Sequence, residues 1–236
     1  MRVEEMFAHT MSRWDQRIVH DQDFDGLRLL RRPVKSIMDV GANVGQSIVS
    51  FRVTFPNAAV TSFEANPMLH SILEDVADRV RGAVTIKRFG LSECAGAFTL
   101  HIPHVGDEAF LEEASIRKEY FDVEWVAQKY RERGGLRLVA VEAAVRVGDD
   151  CSLTPDIIKI DVEGAEAMVV RGLLKTLQAS QPALLVENSD FHTVTAILAP
   201  LGYKPYCYKD GKLEPLLGAT TNTIYLGPRD QSCVTQ

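Results

Sequence analysis

Acids and glycines recur in this chain at positions where strands of an α/β protein would end. The run Ile37-Met38-Asp39-Val40-Gly41-Ala42-Asn43-Val44-Gly45-Gln46 passes from an apolar strand pattern into a Gly-x-x-x-Gly turn and then into a helical pattern. Gly41 permits a tight turn, and Gly45 lets the backbone approach a ligand with no Cβ in the way. No Gly-Lys-Ser/Thr follows, so the turn is not a P-loop, and the third glycine of the dinucleotide fingerprint is missing. A ligand with no phosphate at this turn fits better, which points toward S-adenosylmethionine. Val60-Thr61-Ser62-Phe63-Glu64 reads as a second strand ending in an acid. Glu64 lies roughly 20 residues past the turn, the separation at which an acid takes ribose hydroxyls. Further on, one apolar strand ends in Asp161 with Glu163 just beyond it, and another ends in Glu187 followed by Asn188, with His192 a few residues later. Carboxylates and a histidine so placed can take a proton from a substrate. Asp161, Glu187 and Asn188 together also offer the hard oxygen ligands that suit Mg²⁺.

The elements that must hold these residues alternate. Met6, Phe7, Met11, Trp14 and Ile18 have helical spacing, which places a helix near the start, packed on the domain edge or capping the ligand site. Strands are expected at 36–40, 59–64 and 84–89, with helices at 43–55 and from Pro67 to about Arg79. Residues 96–102 and 136–147 read as extended. Between them, 103–135 is charged and aromatic and reads as a mostly helical insertion, its aromatics forming a small core of their own or a surface for an acceptor. Strands at 156–161 and 183–187 follow, with helices at 164–177 and 191–201, and the chain closes with strands at 203–209 and 222–226. Alternation of this kind argues for a largely parallel sheet covered on both faces. The expected division is an N-terminal helical segment at 1–34, a domain at 35–228 and a tail at 229–236.

Composition excludes several classes. The chain has 236 residues, 46% of them hydrophobic and 25% charged, and a formal net charge of −6. That suits one α/β domain with an insertion and gives no general attraction for nucleic acid or an anionic membrane. Cys94, Cys151, Cys207 and Cys233 form no C-x-x-C pair, which fits idle thiols in a reducing cytosol better than zinc. No signal-peptide core or membrane-length apolar run stands out, so a cytoplasmic protein without membrane insertion is expected.

Three blocks carry a resemblance. Asp39-Val40-Gly41-Ala42-Asn43-Val44-Gly45, then Phe63-Glu64 with Pro67 close behind, and finally Ile158-Lys159-Ile160-Asp161-Val162-Glu163-Gly164-Ala165-Glu166 with Val170-Arg171-Gly172 resemble class I S-adenosylmethionine-dependent methyltransferases of the FkbM type. Where such proteins carry a proline directly after the second acid, this chain has Ala65-Asn66-Pro67. The resemblance implies a Rossmann-like, seven-stranded, mostly parallel sheet with one antiparallel edge strand and helices on both faces. It implies that Asp39, Gly41, Asn43, Gly45, Glu64 and Asp161 hold S-adenosylmethionine, and that a hydroxyl of a small molecule, such as a sugar or glycosylated metabolite, is methylated.

The chemistry of the site then leaves two routes open. Asp161, His192 or Glu163 removes the hydroxyl proton, or Asp161, Glu187 and Asn188 bind Mg²⁺ that lowers the hydroxyl pKa. The plainer readings are that Glu187 and Asn188 cap the next helix, that His192 is a surface residue, and that Glu163 and Glu166 bond amides at a helix start. A non-catalytic binder of the cofactor or a nucleoside is the second functional reading, and a nicotinamide-dependent oxidoreductase the third, disfavoured by the missing glycine. The oligomeric state is left open, a homodimer included.

Overall fold

A computed structural model describes residues 3–234. The chain runs through α1 (Val3–Gln16), α2 (Asp23–Leu27), β1 (Ser36–Val40), α3 (Gln46–Thr54), β2 (Ala59–Phe63), α4 (His70–Val80) and β3 (Val84–Lys87). It then forms β4 (Gly90–Ser92), β5 (Gly96–Val105), β6 (Glu108–Ala109), α5 (Glu124–Glu132) and β7 (Arg137–Val147). The last part comprises β8 (Ile157–Ile160), α6 (Glu166–Arg171), α7 (Leu174–Ser180), β9 (Ala183–Glu187), α8 (Phe191–Leu198), β10 (Lys204–Lys209), β11 (Lys212–Pro215) and β12 (Asn222–Leu226).

The main sheet has the order β11-β10-β12-β9-β8-β1-β2-β3. Strands β9, β8, β1, β2 and β3 are parallel neighbours. The apolar runs of its central strands are buried on both faces, as parallel strands there require. After β3 the chain returns to the other side of β1 to lay down β8, so the order reverses between β1 and β8. A crevice opens at the carboxyl ends there. Register aligns the residues just past each strand. Val40 pairs with Phe63 and with Ile160, and Ile160 pairs with Val186. Gly41, Glu64, Asp161 and Glu187, the next residue in each case, therefore meet along one line.

Two features of the sheet differ from the expectation. It has eight strands, because the Asp210-Gly211 pair joins β10 to an added strand, β11. Both residues of that two-residue turn have positive φ (48° and 81°), the backbone of a tight hairpin whose twist matches its strands. The antiparallel strand β12 is also not at the edge: it lies between β9 and β10, where both of its ladders are antiparallel.

The segment at 103–135 is helical only in part. β5 runs on to Val105 and pairs with β7 over nine positions, from Gly96–Val145 to His104–Arg137, in a second sheet of order β4-β7-β5-β6. Alternating Leu100 and Ile102 of β5, with Ala143 and Val145 of β7, are buried in this hairpin. Helix α5 belongs to the same segment, and Phe110, Phe121, Val126 and Tyr130 form the small separate core expected of the aromatics. The expected helix at 164–177 is broken at Gly172, which lies so close to the Ser92 carbonyl that a Cβ would sit 2.1 Å from it.

The first and last described segments are both fastened to the sheet. Met6 and Met11 of α1 are buried against α3 and α4 and their surroundings, and Phe24 and Leu27 join the core beneath β10 and β12. Arg32 bonds Asp156 (Nη1 to Oδ1, 2.6 Å) and Asp230 (Nε to Oδ1, 2.8 Å). Asp156 in turn accepts from the Lys35 and Ser36 amides at the start of β1. One guanidinium thus joins the N-terminal segment, the approach to β8 and the C-terminal end. Its loss would leave Asp230, 2% exposed, without its cation and Asp156 with Arg229 alone at 3.7 Å, so Arg32→Ala is expected to cost about 3–5 kcal/mol in urea denaturation. A loss below about 0.5 kcal/mol, the size of an ordinary surface substitution, would show that the ends are held by packing alone.

Candidate functional site

The glycine turn is wedged between its neighbours. Gly41 has φ +83°, and a Cβ there would lie 1.7 Å from the Asp161 carbonyl oxygen. Gly45, at φ +86°, sits at the N-terminus of α3 against Val76. The amides of Gly41 and Ala42 donate to the Phe63 carbonyl, so the turn is tied to the end of β2. Asn43, also at positive φ, donates its amide to Glu64 Oε2 at 2.8 Å, and the Asn66 amide donates to Glu64 Oε1 at 2.7 Å. These two bonds fix the Glu64 carboxyl at the crevice. Burial pushes its pKa up to about 7 against the pull of the two amides.

Asp39 departs from its expected role. Its carboxyl is fully buried beneath the turn and accepts from Ser47 Oγ (2.8 Å) and Ser62 Oγ (3.0 Å). It braces β1, β2 and the start of α3, and lines none of the cavities at the crevice.

A buried cation, unforeseen among the candidate residues, orders the acids. Lys159 is 6% exposed, and its Nζ donates to Asp161 Oδ2 at 2.9 Å and to the Gly41 carbonyl at 3.4 Å. Burial would lower its pKa, but the charges of Asp161 and Asp39 outweigh that and hold it up. Asp161 is pushed upward by burial, yet Lys159 draws it below the usual carboxylate range. Glu187 shares a hydrogen bond with Asp161, and partial burial plus the Asp161 charge raise it to about 8. Glu163, at φ +51°, reaches about 7 through partial burial and the charges of Asp161 and Glu166. The signal for Lys159 is one charge inside the apolar run Ile157-Ile158-Lys159-Ile160. A second unforeseen residue is His20, whose Nδ1 lies 2.8 Å from Ser50 Oγ. Burial first, then the Lys159 charge, press it down to about 4, so it is neutral at pH 7.

Three cavities meet at Asp161 and Glu187. The first is an open cleft of about 860 Å³ that runs over Glu64 and Asn66 between apolar walls formed by Phe63, Leu91, Phe98 and Leu100. The β-hairpin of the insertion thus supplies one wall. The second cavity is polar and is closed by His20 and Asp21 of the N-terminal segment, with Lys159 and Asn222 on its lining. Asn222 holds that segment in place through Asp21 (2.9 Å). The third is lined by Glu163, Glu166, Asn188, Ser189 and Thr221 in addition to the two shared acids. Glu163 belongs to both the first cavity and the third.

Several expected residues lie elsewhere or act otherwise. His192 is exposed on α8, edge-on to Phe191, and lines none of these cavities. The expected magnesium ligands do not make a site, and no cluster of the described histidines, cysteines and acids has metal-binding geometry. Asp161 is instead bonded to Lys159, and the Asn188 side-chain nitrogen donates to Tyr225 Oη at 3.0 Å. Glu166 does bond a helix-start amide, that of Gly164 (2.8 Å), whereas Glu163 is free of that duty and lines the cleft.

Strand order, glycine turn and the acid ending β2 define a Rossmann-like methyltransferase domain. A match to the methyltransferase FkbM domain spans residues 39–205, and the chain belongs to that family. Hexuronic acid methyltransferase AglP of Haloferax volcanii is 25% identical over 158 residues, covering 66% of this chain and 58% of that protein. The crystal structure of methyltransferase FkbM from Methylobacillus flagellatus KT matches with a TM-score of 0.52 at 18% identity, over 84% of this chain and 45% of that one. The chain spans about half the length of these relatives. No helix among the described residues is long and apolar enough to cross a membrane.

The acids give stability a pH dependence. Glu64, Glu163 and Glu187 keep protons in the folded state up to about 7, 7 and 8, whereas in the unfolded chain they lose them near 4.5. The folded state therefore binds more protons between those limits, and stability falls as pH rises. His20 acts the other way but only below its unfolded value of 6.5. Between pH 6.5 and 8 the ligand-free protein is therefore expected to melt at progressively lower temperature, with a shallower slope in Glu187→Gln. A melting temperature that is flat or rises over that window would show that the three carboxyls are ionised throughout.

Proposed function

We propose that this enzyme transfers the methyl group of S-adenosylmethionine to a hydroxyl of a neutral sugar or sugar-bearing small molecule. The observation that carries this reading is the meeting of three chemically distinct cavities at one pair of carboxyls. The apolar cleft over Glu64 suits a nucleoside, with ribose hydroxyls donating to the carboxylate. The polar cavity around Lys159, His20 and Asn222 suits the amino-acid end. Asp161, kept ionised by Lys159, suits an ammonium group. The acid-lined third cavity remains for the acceptor.

The cofactor supplies an electrophilic methyl on a sulfonium that already leaves readily. The protein must then align the acceptor oxygen with that methyl and take up its proton. Asp161 is a poor proton acceptor at neutral pH because its charge is already stabilised. Glu163 serves better. It stands between the nucleoside cleft and the acceptor cavity, and a pKa raised to about 7 matches the working pH, where a base is both ionised and able to hold a proton. Its place at an open cavity mouth lets the proton pass on to solvent.

The name of the AglP relative supports a sugar acceptor. The cavity itself disfavours an anionic one: Asp161 is ionised and Glu163 becomes so near pH 7, and a carboxylate entering beside them would meet like charge.

Glu163→Gln is expected to lower kcat by about 10²–10⁴-fold while leaving S-adenosylmethionine affinity near wild type. The wild-type rate is expected to rise with pH through about 7, and Glu163→Gln to lose that inflection. Unchanged turnover in this variant would assign the proton transfer to another group. In a radiolabelled methyl-transfer screen, neutral hexosides are expected to be methylated in preference to hexuronates. Equal or better transfer to hexuronates would refute the charge argument. Calorimetry with S-adenosylhomocysteine, with NAD as control, tests the donor: binding of NAD alone would favour an oxidoreductase.

A further inference from the structure

Asn66 is a buried side chain with an unused donor beside the nucleoside cleft. It is 2% exposed and lines that cleft together with Glu64. Its Oδ1 accepts from the Met68 amide at 3.1 Å, which caps the short turn at Pro67–Leu69. That bond fixes the orientation of the side-chain amide, because only the oxygen can accept from an N–H. Nδ2 is then the other branch, and it has no hydrogen-bond partner in the protein. Its backbone N–H meanwhile donates to Glu64 Oε1. The carboxylate and the orphaned amide are thus held by one another at neighbouring points of the same wall.

A hydroxyl needs two partners, an acceptor for its hydrogen and a donor to its oxygen. Glu64 alone supplies only the first. We propose that Asn66 Nδ2 supplies the second, so that Glu64 and Asn66 together read one ribose hydroxyl of the donor nucleoside, a role that rests on the nucleoside reading of this cleft. The pair makes Asn66 a specificity residue for a ribonucleoside over its deoxy counterpart: a deoxy ligand would leave the buried side-chain amide unpartnered and give the carboxylate no hydroxyl beyond its two backbone amides, the kind of loss that discriminates strongly. Pro67, in the first turn of the short helix that Asn66 caps, suits that cap, because its missing N–H needs no partner there.

The test is calorimetric titration of S-adenosylhomocysteine and its 2′-deoxy and 3′-deoxy analogues into wild type, Asn66→Asp and Asn66→Ser. Asn66→Asp keeps the oxygen that caps Met68 and loses the donor but adds an acid next to Glu64; Asn66→Ser loses the donor without that acid. Unchanged thermal melting in either one shows that the fold survives. Wild type is expected to bind one deoxy analogue about tenfold or more weakly than the parent. Each variant is expected to bind the parent about tenfold more weakly but to lose little further with that analogue. Parent binding at wild-type strength in both variants would overturn the proposal, as would an equal loss for the parent and both analogues, which would put the amide on the base or on no ligand atom. Failure of wild type to bind S-adenosylhomocysteine at all would instead overturn the nucleoside reading beneath it.

Discussion

A full positive charge inside the sheet, that of Lys159, is the constraint around which the site is arranged. A buried ammonium is costly unless it is paired and hydrogen-bonded. Here the compensation is local: Asp161 two residues on, the Gly41 carbonyl across the β1–β8 boundary, and the field of Asp39 below. Each partner is thereby assigned a state. Asp161 is ionised at neutral pH. Glu187, beside an ionised neighbour, keeps its proton. His20 is kept neutral. A single lysine thus converts a crowd of acids, which would repel one another if all were charged, into a graded set of protonation states.

That arrangement depends on register. The parallel pairing of β2, β1, β8 and β9 brings the residue after each strand to one line, and the reversal of strand order between β1 and β8 opens the crevice there. The glycine at position 41 is the consequence: the turn leaves β1 so close to the Asp161 carbonyl that no side chain fits between them. The rest of the chain walls this crevice. The insertion closes it with the apolar face of a β-hairpin, and the N-terminal segment closes its polar end through His20 and Asp21. Arg32 secures that segment and the C-terminal end where β1 and β8 begin, at the far end of the strands from the crevice.

The features legible in the sequence are those that lie close along the chain. Strand-ending acids and the glycine turn announce themselves by order and spacing, so Gly41, Asn43, Gly45, Glu64 and Asp161 are all legible. Functions that depend on depth are not. Asp39 and Glu64 are both acids near the ends of strands, yet Asp39 lies inside β1 and faces two serines beneath the turn, whereas Glu64 lies just past β2 and lines the cleft, a difference of depth that residue type does not reveal. The hairpin at 96–147 is legible at its two ends, where alternation is clean, and not between them, where charged and aromatic residues imitate a helix. His20 reaches the site from far along the chain through the fold alone. Asp210-Gly211 has the residue types of a hairpin turn, but the short, lysine-led strand after it does not stand out as one.

Asp161 and Glu163 show why proximity to the reacting atoms does not by itself name a base. Two residues apart, they share one loop and line the same two cavities. Asp161 is bonded to a buried cation, so its anion is stabilised and its affinity for a proton is low. Glu163 has no such partner; it is raised by partial burial and by the very charge that Lys159 maintains on Asp161. The ion pair therefore acts twice, once by fixing an anion and once by making the next carboxyl more basic. Environments that drive neighbouring carboxyls apart are how a single site obtains both an electrostatic anchor and a proton acceptor. Here both carboxyls line the nucleoside cleft and the acid-lined cavity, so their difference comes from the cation beside one of them and not from separate compartments.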